Sequence, residues 1–220
     1  FDDNINAIKP DSSHEVLAFV SDGTTYSTGV DDAELTNQSV SFTALEMRAL
    51  PFNTLPTTGG TANFVSLGQI IDGIDNGVDN GTTNPFSSIT NGGQVAEFLT
   101  DGERGLDLGT GVTNIPTGTE TRFELSDIGG IDTGEIGDCV PDILVSQTAQ
   151  PSTSDFDELE FVDDMGETVG NVVQINISNE PIVGNSDIDL YKFDSTQNDN
   201  TRVNTEREIH FYAADLSEFG

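Results

Sequence analysis

The sequence predicts an all-β fold: a β-sandwich of jelly-roll type, mainly antiparallel, with at most one or two short helices. Three observations carry this. Apolar residues recur at period two in short segments, which places them on one face of a strand. Turn-forming clusters of Gly, Asn and Asp separate those segments, and the chain holds 23 Gly in 220 residues. Helical periodicity is scarce. A hydrophobic content of 34% with 13 Phe is enough to fill a core, so the strong acidity does not read as disorder.

Taken in chain order, the first element is Val16-Leu17-Ala18-Phe19-Val20, a strand-sized apolar run closed by the turn signal Ser21-Asp22-Gly23. Thr43 to Leu50 contains good helix formers but ends at Pro51, and its alternation of Leu45, Met47 and Ala49 fits a strand equally. Phe64, Leu67, Ile71, Ile74 and Val78 fall at helical spacing. Gly68, Gly73 and Gly77 each cost about 1 kcal/mol in a helix, which leaves room for one or two turns. Arg122 to Leu125 alternates, and Val140 to Val145, interrupted by Pro141-Asp142, reads as a central strand. Glu158 to Asp163 and Thr168 to Ile177 read as the two arms of a β-hairpin, with Val173, Ile175 and Ile177 on the covered face of the second arm. Ile188 to Phe193 and Ile209 to Ala214 supply two further strands. No Pro/Ser-rich linker divides the chain, so residues 1–220 are read as a single domain.

With 39 acidic against 7 basic residues the formal charge is −32. Such a body repels nucleic acid and anionic lipid, which excludes both as partners. No run approaches the roughly 18 apolar residues of a membrane helix, so direct insertion is excluded as well. The acids serve either a surface kept soluble in salt water or one charged to bind cations. The lone Cys139 cannot form an intramolecular disulfide and is read as a small buried residue. The chain begins at Phe1 with no signal-like segment, so either a leader has been removed or the sequence is part of a longer chain.

The stretch from Asp72 to Gly81 is the most distinctive. Asp72, Asp75 and Asp79 are spaced by Gly and Asn, and carboxylates beside inward-turning carbonyls suit a hard cation that takes six to eight oxygens. Calcium is therefore the one cofactor the sequence suggests. The spacing does not match the calcium-loop pattern with its closing Glu, and a turn-rich acidic surface loop explains the same residues. Asp132, Glu135 and Asp138 form a second such cluster, and Asp155, Asp157 and Glu158 a third.

Catalysis has little to stand on. His14 and His210 lie in unrelated contexts, His210 on one face of a strand, and there is no Gly-x-Ser-x-Gly elbow. A carboxylate pair for glycoside hydrolysis is certain to occur by chance among 39 acids and so carries no specificity. The chain is read as non-catalytic. The alternative is a carbohydrate-binding, lectin-like module, bridged by calcium or using Tyr26, Tyr191 or Tyr212. It lacks the usual aromatic platform, because Trp is absent.

Several segments also resemble a known group of proteins. Leu50-Pro51-Phe52-Asn53-Thr54-Leu55-Pro56-Thr57-Thr58-Gly59-Gly60 and Leu67-Gly68-Gln69-Ile70-Ile71-Asp72-Gly73-Ile74-Asp75-Asn76-Gly77 are two of them. Gly105 to Gly111, Pro141 to Gln147 and Ala213 to Gly220 are the others. Together, across about residues 45 to 220, they resemble a module in large secreted, adhesin-like surface proteins of marine and gliding Bacteroidota. The resemblance implies an extracellular, cell-surface component acting by adhesion or self-association, with other copies of itself or surface glycans and proteins as partners. Asp194-Ser195-Thr196 resembles the acceptor sequence for O-linked glycans in that group, which makes Ser195 the expected modification site.

Overall fold

The computed structural model describes residues 15–48, 64–68, 108, 110–113, 118, 120, 122, 123, 125, 130–148, 153–192 and 200–220. The protein is built mostly of strands in antiparallel sheets, with one α-helix and two short 3-10 turns among the described residues. These residues fall into two compact units. One comprises those up to Gly130 together with 187–206; the other comprises Ile131–Ser186 with Arg207–Gly220.

In the first unit, β1 (Ala18–Ser21) and β2 (Thr24–Ser27) form a hairpin around Asp22-Gly23. Both turn residues have positive φ, 48° and 77°, as a two-residue type I′ turn requires and as Asp-Gly favours. The register sets Phe19 opposite Tyr26, and their rings stack at 5.7 Å. The chain then enters α1 (Asp32–Asn37), which the sequence reading missed. Six residues are too few to show a helical period. The signal that was present is local: Asp31 caps the helix by accepting from the Glu34 N–H at 2.9 Å. Leu35 is the buried residue of α1, and Ser39 at φ 63° turns the chain away after it. Residues 43–47 return alongside β2, with Ser27 N–H donating to Thr43 O and Met47 N–H to Thr28 O. The ambiguous 43–50 stretch is therefore extended where it is described.

Further along are β3 (Phe64–Gly68) and β4 (Thr110–Thr113), an antiparallel pair. Residues 64–68 correct the expected helical spacing. β3 pairs with β4 on one side and β8 on the other, and two rows of ladder bonds outweigh a weak helical pattern spoiled by Gly. The larger sheet has the order β4-β3-β8-β9-β5, where β5 is Ile143–Thr148, β8 Ile182–Lys192 and β9 Asn200–Ala214. Among the described residues β5 stands at the end of that order, which corrects its reading as a central strand. Its apolar run is matched to one neighbour, with Ile143 opposite Ala214 and Thr148 opposite Ile209.

The second unit contains the expected hairpin, β6 (Asp157–Val162) and β7 (Thr168–Ile175). The Asp163 carboxylate closes its turn by accepting from Met165 and Glu167 N–H at 2.8 and 2.9 Å. The ladder shifts register between Leu159 and Phe161, opposite Gly170 at φ 79°. A 3-10 turn, Ile177–Asn179, follows β7, and a second, Leu216–Phe219, follows β9. Ile175, Ile177, Ala214 and Phe219 form the buried apolar set of this unit.

Candidate functional site

Asp72, Asp75 and Asp79 of the expected calcium loop lie outside the described residues, and so does Ser195. Among the described residues, no group of three or more His, Cys, Asp or Glu is arranged to hold a metal ion. In the Asp132–Glu135–Asp138 cluster the two aspartates are engaged by the local backbone. Asp132 accepts from Gly134 N–H and Asp138 from Val140 N–H, both at 2.8 Å.

This loop meets the turn that follows β9, and the two hold each other. Asp215 lies just beyond the last residue of β9 and caps the 3-10 turn through a Ser217 N–H bond of 2.6 Å. The same carboxylate reaches 78 and 76 residues back along the chain. Its Oδ1 accepts from Gly137 N–H at 2.9 Å and its Oδ2 from Cys139 N–H at 2.8 Å. Cys139, at φ 66°, turns its N–H toward the anion, so the loop acts as a small backbone nest. The bonding is reciprocal: Asp142 Oδ2 accepts from Leu216 N–H at 2.8 Å, and Asp142 N–H donates to Ala214 O at 2.9 Å.

Packing completes the attachment. Phe219 is only 3% exposed and meets the Phe161 ring edge-on at 4.9 Å. Its carbonyl lies against Gly170, where any Cβ would overlap it. On β9, Tyr212 OH donates to Glu218 at 2.8 Å.

The charges respond to this geometry. Asp215 is held down to about 2, first by the backbone and hydroxyl of Ser217 and then by the N–H groups of Gly137 and Cys139. Asp142 moves the other way. Burial raises it, the Leu216 N–H pulls against that, and Asp215 and Asp138 add repulsion. Glu135 is raised chiefly by Asp138, then by partial desolvation, Asp132 and Asp142. Tyr212 is pushed up by burial first and by Glu218 second. In the third acidic cluster Asp157 is raised by burial of its carboxyl and by Asp155.

Cys139 is exposed, which corrects its reading as a small buried residue. Its N–H is engaged in the lock while its side chain faces solvent. His210 does lie on a sheet face and is 3% exposed. Its Nδ1 is 2.9 Å from Glu180 O, and since a carbonyl only accepts, Nδ1 carries the proton. Nε2 stands 3.5 Å from Glu208 Oε2, too far for a good hydrogen bond. Gln147, opposite His210 in the ladder, likewise has a buried Oε1 without a hydrogen-bond partner.

Sequence reasoning missed Asp215, Asp142, Gly170 and Phe219 as a working group. Asp215-Leu216-Ser217 does carry a cap signal, but nothing local points to partners nearly eighty residues away. No family model matches the chain, and comparison with curated proteins and with solved structures gives no match either. No helix among the described residues is long and apolar enough to cross a membrane.

Proposed function

We propose that this protein is an extracellular component of a cell surface or filament, acting by adhesion or self-association and not by catalysis. The observation that carries this reading is an antiparallel, strand-built fold combined with a net charge of −32. Such a body repels its own copies in dilute salt and lets them approach when counter-ions screen it, so its associations follow the ionic surroundings. The resemblance of residues 45 to 220 to secreted adhesin-like modules supports the same reading. Its partners are other copies of itself, or surface glycans and proteins. In fold, we propose that residues 1–220 make one jelly-roll β-sandwich. Phe19 and Phe219 are buried as a core role requires, whereas Phe123 and Phe156 are exposed, which corrects the expectation that the Phe side chains as a set fill the interior.

Calcium is the proposed cofactor, held at Asp72, Asp75 and Asp79, with O-glycosylation at Ser195. The calcium proposal is checked by melting temperature at constant ionic strength. Millimolar calcium raises it beyond the effect of sodium, and Asp75→Asn with Asp79→Asn removes that increment while leaving the salt effect intact. Equal responses to the two ions would strike calcium out.

Sedimentation velocity across a salt series, together with imaging of the native assembly, tests the functional reading. Reversible oligomers or filaments that grow with screening are expected. A strictly monomeric species with saturable binding on a glycan array would replace adhesion by a lectin-like module. Two of its three candidate tyrosines are already engaged: Tyr26 is buried against Phe19, and Tyr212 is bonded to Glu218.

A further inference from the structure

We propose that the Asp215–Gly220 turn and the 132–142 loop form an acid-graded latch, tightest in mildly acidic solution and released in strong acid. The inference stands on the reciprocal bonding between two segments far apart in the chain. The turn gives a carboxylate, Asp215, to two N–H groups of the loop; the loop gives a carboxylate, Asp142, to an N–H of the turn. Protonation acts on these two features in opposite ways.

At neutral pH the latch holds while working against crowding. Glu135 is acted on by Asp138, Asp132 and Asp142, and Asp142 by Asp215 and Asp138. Neither the 132–142 loop nor the 215–220 turn contains a Lys, Arg or His. The loop adds the Cys139 thiol, and the turn adds Glu218, already paired with Tyr212 of β9. Elsewhere on β9 the ionisable residues are Arg202, Glu206, Arg207, Glu208 and His210, with Glu180 near both Tyr212 and His210. β7, which receives Phe219, has no ionisable residue. On β6, Glu158 and Glu160 bond to Gln174 and Thr168 across the hairpin, and Asp157 faces Asp155. A proton added to Glu135 removes repulsion, and one on Asp142 does the same when it sits on the oxygen that does not face the Leu216 N–H. One added to Asp215 instead spoils a carboxylate whose two oxygens accept three N–H groups.

The signs follow from linkage. Glu135 and Asp142 bind protons more readily in the latched state, each above its ordinary value of 4.5 or 3.8. The latched state thus gains as pH falls from neutral through that range. Asp215 binds its proton less readily, at about 2 against an ordinary 3.8. What it contributes is complete above its ordinary value and is lost as pH falls toward 2. The two windows leave a maximum at about pH 4.

Amide hydrogen exchange on the intact chain tests this. Protection of the Gly137 and Cys139 N–H groups is followed from pH 7.5 to 2 at constant ionic strength without divalent cations, and corrected for intrinsic rates. Protection is expected to rise several-fold between pH 7 and 4 and to collapse below pH 3. Asp215→Asn should lower it throughout and abolish the low-pH collapse. Glu135→Gln, an exposed change that leaves every latch bond in place, should raise protection at pH 7 toward the pH 4 level and leave the latter unchanged. Protection that is flat or falls steadily from pH 7, or a Glu135→Gln profile identical to that of the unaltered protein, would overturn the latch.

Discussion

In residues 15–48 two hydroxyl side chains with no exposure at all tie distant parts of the chain together, whereas in the second unit that work falls to carboxylates at or near the surface. Ser27 and Thr28 are both fully buried. Thr28 Oγ1 donates to Val16 O at 2.6 Å and also lies 3.2 Å from Leu17 O, while Ser27 Oγ accepts from Leu45 N–H. A hydroxyl is neutral across the whole accessible pH range, so it can be buried at modest cost once it is bonded. Asp215 and Asp142 make equally specific bonds but keep solvent contact, because full burial would penalise their charge. The hydroxyl bonds of the first region are thereby insulated from pH, and the carboxylate bonds of the second are exposed to it. A chain with 39 acids carries its ionic sensitivity where carboxylates do structural work.

The comparison breaks most readily at Phe219. Truncation to Ala removes the buried ring from Phe161 and should cost about 3 kcal/mol in chemical denaturation. The loss is expected to show as faster amide exchange in β7 and the 137–142 loop, with residues 16–28 unchanged. Uniform loss of protection in both regions would mean that they do not differ as described.

Gly170→Ala comes next. It places a Cβ on the Phe219 carbonyl at a residue with φ 79°. Left-handed strain and overpacking together should cost about 2 kcal/mol. Since neither partner is ionisable, the cost should be the same at pH 4 and pH 7. A variant as stable as the original protein would show that the turn does not sit against β7.

The smallest effect sharpens the contrast. Thr28→Val keeps the shape and deletes the hydroxyl, leaving Val16 O without its donor, and should cost about 1 kcal/mol. That cost should not change with pH or salt when followed by thermal denaturation between pH 4 and pH 8. A pH-dependent penalty would show that the hydroxyl region is coupled to the carboxylates after all.

Much of this was readable in the linear sequence, and the readable part has a common origin. The β1–β2 hairpin follows from an apolar run ending in Asp-Gly, and β6–β7 from alternation on both sides of a Gly-containing turn. The Ile188–Lys192 part of β8 and the Ile209–Ala214 part of β9 follow from alternation in the same way, while the earlier halves of both strands do not. Each depends on residues within about ten positions of one another, where backbone sterics and side-chain direction act directly. The net charge of −32 is likewise a property of composition alone. Tertiary structure decided everything that depends on distant segments meeting. Among the described residues it placed β5 at the end of its sheet order, because strand order depends on which ladders close and not on how apolar a run is. It made residues 64–68 a strand by supplying hydrogen-bond partners on both sides. It left Cys139 exposed, and it brought Asp215 to Gly137 and Cys139 across 78 and 76 residues. An aspartate beside a serine announces a cap, but only the folded chain brings the amides that turn that cap into a lock.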